Sequence, residues 1–230
     1  MGKYLETYII VSEKKWHDSL IEDLNVLYPA NWVRIQSSND FNEEYIDSLS
    51  PVKIFIPHWS KIIPESIFKA WECIVFHMTD LPYGRGGSPL QNLIVRGERS
   101  TKIAAIKVES GIDTGPIYIK KDLNLDGTAF DIFERSTPII KEMILEIIKL
   151  NIIPTKQNGE VLVFNRRKEH ESNIESLNTC HKIYDYIRML DCEGYPKAFL
   201  ENNSIKFEFS NAKFDKEKNQ IVANVRIVQK

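Results

Sequence analysis

FHMTDLPYGRGGSPLQNLIVRGERSTKIAAIKVESGIDTG, residues 76–115, places one histidine, His77, and one aspartate, Asp113, just past two runs of strand-forming residues. The first run, Cys73 to Phe76, is apolar and delivers His77 to a loop rich in Pro and Gly, where the backbone turns sharply and polar groups stay uncovered. The second, Ile103 to Val108, leads to Glu109, Gly111 and Asp113. If both strands belong to one parallel sheet, their loops leave the same carboxyl edge, which is where open α/β sheets hold ligands. His77 and Asp113 are then expected to meet across a cleft.

Working outward, short apolar runs alternate with helical segments, the signature of a parallel sheet with crossover helices. Strands are expected near Glu6–Val11, Trp32–Gln36, Lys53–Pro57, Cys73–His77, Lys102–Glu109 and Ile117–Asp122. Helices are expected at Lys14–Leu27, Phe41–Ser48, Glu65–Trp71 and Ser88–Arg96, with Asp40 capping the second and Ser88-Pro89 opening the fourth. A longer helix spans Ala129–Leu150, with Phe130, Phe133, Ile139, Ile140, Met143, Ile147 and Ile148 on one apolar stripe. After YIIV comes SEKKW, so the glycine-rich dinucleotide loop is missing and an NAD function is not supported. Asn151–Gly159 reads as a linker. Beyond it come one helix, Cys180–Leu190, and short strands at Ala198–Leu200, Ile205–Phe209 and Gln220–Val228. The expected fold class is α/β, a Rossmann-like, mostly parallel sheet over residues 1–150 followed by a small, mainly-β C-terminal α+β domain over residues 151–230.

A chain of 230 residues, 43% hydrophobic and 27% charged, can bury a full core. Cys73, Cys180 and Cys192 have no paired or metal-ligand spacing, so a reducing cytoplasm is the expected location and no metal site is expected. No run has the length of a signal peptide core or a membrane span, which argues against a membrane partner. Gly2 follows Met1, but Glu6 stands where a myristoylation signal needs Ser or Thr. Residues 151–230 hold 13 Lys and Arg against 11 Asp and Glu, and the preceding 150 hold 17 against 21. A domain that grips folded RNA is expected to be more basic, so no nucleic-acid partner is expected.

The central segment resembles the folate-dependent formyltransferases, whose pattern N-x-H-x-S-L-L-P-x-x-R-G-x-x-P-x-Q precedes a D-x-G-x-D-T-G loop. The matching residues are His77, Leu81, Pro82, Arg85, Gly86, Pro89 and Gln91, then Gly111, Asp113, Thr114 and Gly115. Trp59–Pro64 (WSKIIP) resembles the segment lining the pterin pocket, while Arg166–Ile174 and Tyr184–Phe199 resemble the start of the smaller domain of tRNA and sugar formyltransferases. One position departs: Val75 stands where the family has the asparagine assigned to the formyl oxygen.

The resemblance implies 10-formyltetrahydrofolate as formyl donor and His77 and Asp113 as catalytic residues. Trp59, Ser60, Lys61, Ile62 and Glu109 are the expected donor-binding residues, and Tyr83, Gly84 and Arg85 the expected acceptor-binding ones. Attack of an amine on a formyl carbon puts negative charge on oxygen, and an aimed donor such as His77 stabilises it. Asp113 would favour the charged imidazole and accept the proton that the amine loses. Thr79, Ser88, Asn92 and the N–H groups of Gly86 and Gly87 are candidate replacements for the missing asparagine. His17, His58, His170 and His181 lack metal spacing and are expected at the surface, and Arg166 and Arg167 are expected to be solvated. For the acceptor, the resemblance points to a nucleotide-linked 4-amino-4,6-dideoxy sugar of bacterial surface glycans, similar to pseudaminic-acid-type substrates. Sugar enzymes of this kind are often homodimers, but no sequence feature marks an interface. The alternatives are a methionyl-tRNA formyltransferase-like enzyme and a non-catalytic domain binding folate or a sugar nucleotide.

Overall fold

The computed structural model describes residues 5–230. Gly2 lies outside them. The elements follow in the order β1 (Thr7–Val11), α1 (Leu20–Leu27), β2 (Asn31–Ile35), α2 (Glu43–Leu49), β3 (Lys53–Pro57), α3 (Glu65–Ala70), β4 (Cys73–His77), β5 (Tyr83–Gly86) and α4 (Pro89–Val95). They continue as β6 (Ser100–Lys107), β7 (Ile117–Asn124), α5 (Ala129–Lys149), β8 (Leu162–Phe164), α6 (Cys180–Arg188), β9 (Ala198–Glu201), β10 (Ile205–Asp215) and β11 (Gln220–Gln229). Two compact units interleave along the chain. One holds the residues up to Arg85, Lys102–Leu123 and Glu134–Val163, and the other holds Gly86–Thr101, Asn124–Phe133 and Phe164–Lys230.

The first unit is built on a six-stranded sheet of order β2-β1-β3-β4-β6-β7. Ile9, Ile10, Ile54, Phe55 and Ile74 are wholly buried, the continuous apolar pattern of strands covered on both faces. β1 pairs in parallel with β2 on one side and β3 on the other, and β4 continues parallel to β3. The strand order therefore reverses at β1, which makes the carboxyl ends of β1 and β3 the switch point of the sheet. β6 departs from the simple expectation, because it runs antiparallel to β4 with His77 opposite Ala104 and Ile74 opposite Lys107. An apolar run specifies a buried strand but not its direction, which the connecting loops decide.

Local chemistry corrects several element ends. Asn42, not Asp40, caps α2, its side chain accepting from the Tyr45 N–H at 2.9 Å. Ser88 stands at the N-cap of α4 in a left-handed conformation and makes no side-chain cap. In α5 the buried residues include Ile132, Phe133, Ile140, Met143, Ile144 and Ile147, while Phe130 is 42% exposed. The apolar stripe therefore starts from Ala129 and Ile132 rather than Phe130.

In the second unit, β9, β10 and β11 form an antiparallel sheet. β10 runs past the expected end at Phe209 because a bulge between Ser210 and Lys213 absorbs the polar interruption, and pairing with β11 resumes. Arg188, 1% exposed, pins α6 to the Leu125–Gly127 turn. It donates to Asp185 at 2.6 Å, to the Leu125 carbonyl at 2.6 Å and to the Gly127 carbonyl at 2.9 Å. No helix among the described residues is long and apolar enough to cross a membrane.

Candidate active site

His77 ends β4, with its side chain 9% exposed. Its Nε2 lies 2.8 Å from the Gly84 carbonyl oxygen, which also accepts from Thr79 Oγ1 at 3.2 Å. A carbonyl oxygen can only accept, so Nε2 carries a hydrogen and the ring orientation is set. Gly84 sits at φ 78°, a conformation that favours glycine and that turns this carbonyl toward the histidine. The other nitrogen, Nδ1, faces Asp113 Oδ2 at 3.5 Å. That separation leaves Nδ1 the less committed of the two, and it is the nitrogen that would donate to a substrate oxygen when the ring carries a second hydrogen.

Asp113 does not reach His77 by the expected route. Because β6 runs antiparallel, its end at Lys107 lies level with Ile74, and the 108–116 loop has to bring the carboxylate back to the opposite end of β4. Gly115 makes the return possible: a Cβ there would sit 1.7 Å from the Lys107 carbonyl oxygen. Asp113 itself holds φ 53°, which is uncommon for a residue with a side chain. Gln157 ties this loop down, its Nε2 donating to the carbonyls of Asp113 and Gly115, both at 2.8 Å. Its Oε1 accepts from Arg85 Nε at 3.1 Å and Nη2 at 2.7 Å. Arg85 is thus engaged with the protein in this arrangement. Gln157 lies in the stretch that reads as a linker, and a polar residue in a short loop gave no signal to single it out.

Val75 shares the His77 face of β4 by strand alternation and packs with Ile117 against Leu81, Ala104 and Ile106. The side chains considered as replacements for its missing amide are all engaged. Thr79 donates to Gly84, and the Ser88 hydroxyl accepts from the Arg167 N–H at 3.1 Å. Asn92 donates to the carbonyls of Gly87, Ser88 and Asn165. The Gly87 N–H donates to the Phe164 carbonyl. These groups hold turns together.

The donor-side candidates follow β3, whose last residue, Pro57, pairs with Phe76 beside His77. Trp59 packs edge-on against Phe41 at 5.8 Å and belongs to the apolar cluster of the sheet. Lys61 donates to Ser38 at 2.8 Å, Ser60 is exposed, and Ile62 is 92% exposed. Glu109 is exposed and Tyr83 half-buried in β5.

Of the histidines expected at the surface, His17 is interior and His58 is half-buried. His17 is wholly buried, stacks on His58 at 5.0 Å and contacts Ser12 Oγ at 2.7 Å. Trp16 Nε1 donates to His58 Nδ1 at 3.0 Å, so His58 Nε2 carries the hydrogen directed at Met78 Sδ, 3.2 Å away. Burial first, then the positive charges around it, push His17 down to about 2, and burial pushes His58 down to about 3. Both are neutral spacers rather than switches at ordinary pH. Histidine is read as polar in a sequence, which hides this packing.

Residues 11–131 match the family described as formyl transferase, and residues 169–228 match the methionyl-tRNA formyltransferase C-terminal domain. A methionyl-tRNA formyltransferase of Clostridium thermocellum is 46% identical, covers 98% of this chain and is itself wholly covered, with a TM-score of 0.94. A curated methionyl-tRNA formyltransferase of Thermodesulfovibrio yellowstonii is 29% identical over 70% of this chain. The chain spans 55% of the length of that relative. A sugar N-formyltransferase of Shewanella is 16% identical over 95% of this chain and 96% of its own, with a TM-score of 0.66, a likeness of fold alone. These similarities overturn the expectation of a nucleotide-linked amino sugar and of no nucleic-acid partner. A summed charge carries no information on where the charges stand on the surface, so it does not decide between acceptors. With its histidine and aspartate brought together at the end of β4 and the family's pattern matched over more than half its length, the chain belongs to the formyl transferase family.

Proposed function

We propose that this protein transfers a formyl group from 10-formyltetrahydrofolate to the amine of methionine carried on tRNA. The observation that carries the choice of acceptor is the 46% identity to a methionyl-tRNA formyltransferase across both chains, joined by the match of residues 169–228 to that enzyme's C-terminal domain. The chemistry rests on His77 and Asp113, 3.5 Å apart at the carboxyl end of β4.

The donor supplies a formyl carbon that an amine can attack. The donor's flat heterocycle is assigned to the residues past β3 in this reading, where Ile62 offers an apolar side chain, 92% exposed, for a bound ring to cover. As an imidazolium, His77 directs its Nδ1 hydrogen toward the oxygen on which charge develops, while the Gly84 carbonyl holds its other nitrogen. Such preorganised donors contribute most when charge forms in the transition state. Asp113 is placed to take the proton that the attacking nitrogen must lose, directly or through one water. Val75 contributes no polar group, so His77 carries a larger share of this stabilisation than it would beside an asparagine.

The test is transfer of radiolabelled formyl from 10-formyltetrahydrofolate to methionyl-tRNA by the purified chain. Label is expected on the methionine of the tRNA. Label released only as formate, or no turnover with any charged tRNA, would remove the proposal.

A further inference from the structure

We infer that Gln157 is a positioning residue for the candidate active site, one that fixes the Asp113 loop against the Arg85 loop through both ends of its amide. The inference rests on the reading of His77 and Asp113 as the catalytic pair. All four groups involved belong to the first compact unit.

Two features single out this amide. It satisfies two loops distant in sequence at once, with Oε1 receiving two N–H groups of Arg85 and Nε2 giving hydrogens to Asp113 and Gly115. One of the bonds is made to the backbone of the aspartate itself, at a residue held at φ 53°. A non-glycine residue in that region costs free energy and persists only where its surroundings hold it. Elsewhere in the 108–116 loop, Thr114 bonds within the loop, to the Ser110 carbonyl at 3.1 Å, and the Pro116 carbonyl accepts from the Lys107 N–H at 2.9 Å. Gly115 closes against Lys107 without a side chain to anchor it.

An amide is the one uncharged side chain that offers both an acceptor and two donor hydrogens in this geometry. Glutamate would keep the acceptor for Arg85 but would present lone pairs to two carbonyl oxygens. The Asp113 loop would be released while the Arg85 contact persists. Gln157 therefore acts on the reaction through Asp113 and touches neither the reacting atoms nor the substrate.

Gln157→Ala and Gln157→Glu separate the two ends. Misplacing a catalytic group by about 1 Å can cost on the order of a hundredfold. Both variants are therefore expected to lose roughly ten- to a hundredfold in kcat, with KM for formyl donor and acceptor within about threefold of wild type. Thermal unfolding midpoints identify any variant that fails to fold, and Gln157→Glu, which retains the Arg85 contact, serves as the second variant. If Gln157→Glu matches wild type, or if both variants change KM alone, the inference is overturned. Asp113→Asn run alongside distinguishes the two failures. An active Asp113→Asn undermines the catalytic reading, whereas an inactive Asp113→Asn with wild-type Gln157 variants overturns only the role of Gln157.

Discussion

Two histidine sites stand at the carboxyl edge of the same sheet and do opposite things. His17 and His58 occupy the switch point between β1 and β3, the place where a doubly wound sheet ordinarily opens a crevice for a ligand. There the rings stack on one another, and Ser12, Trp16 and Met78 take up three of their nitrogens. On β4, the strand next to β3, His77 has one nitrogen tied to a carbonyl and the other turned toward a carboxylate. What separates a structural histidine from a candidate catalyst is whether the structure leaves one ring nitrogen facing a group that chemistry can use.

The largest expected effect breaks that contrast at its functional end. His77→Ala should lower formyl transfer by roughly a hundred- to a thousandfold, as loss of an aimed transition-state donor does elsewhere, and Asp113→Asn by about a hundred- to ten-thousandfold, as loss of a general base does. Their unfolding midpoints should stay near wild type. His17→Ala should do the reverse, losing about 2–3 kcal/mol of stability through a cavity and a broken hydrogen bond while the folded fraction keeps its turnover. Chemical denaturation and steady-state kinetics on the same preparations check both, and equal kinetic losses at the two sites would dissolve the distinction.

A smaller effect lies in the dependence of stability on pH. His17 ionises near 6.5 when unfolded but is pushed down to about 2 in the fold, so the unfolded chain binds a proton that the folded chain refuses. Its contribution is complete above about pH 6.5 and is lost as pH falls, by at most about 1.4 kcal/mol per pH unit. Urea titrations between pH 7 and pH 5 should show this decline, to which His58 adds in the same direction, and His17→Gln should make it shallower. A slope unchanged in the variant would place the lost protons elsewhere. The smallest expected effect sharpens the other end. Thr79→Val removes one of two hydrogens on the Gly84 carbonyl and should cost less than about tenfold in kcat, consistent with the ~1 kcal/mol net worth of a single neutral hydrogen bond. A loss as large as that of His77→Ala would show that Thr79 does more than support the ring.

Much of this was open to reading in the linear chain, for reasons specific to each segment. The runs around Ile9, Ile54 and Ile74 are apolar throughout because both faces of those strands are covered, and such runs read as buried strands without further information. The histidine at the end of one run and the aspartate in a glycine-bearing loop announced themselves through rare residue types in a fixed order. Other features had no local signature. The two short strands β5 and β8 carry glycine or exposed residues and exist through pairing with each other. Gln157 is one polar residue in a loop, and its bonds reach residues 72 and 44 positions away. Net charge had no such signature either, since a sum over a segment does not say which face the charges occupy.

By itself, the sequence determined that there would be an α/β sheet, that His77 would close one strand, and that Asp113 would stand in a tight loop. These depend on periodicity and on backbone preferences that act over a few residues. Only the tertiary structure decided that β6 runs antiparallel to β4, that the loop returns Asp113 to within 3.5 Å of His77, and that Gln157 holds it there. Each of these depends on contacts between residues far apart in the chain, whose partners exist only once the sheet has closed around them.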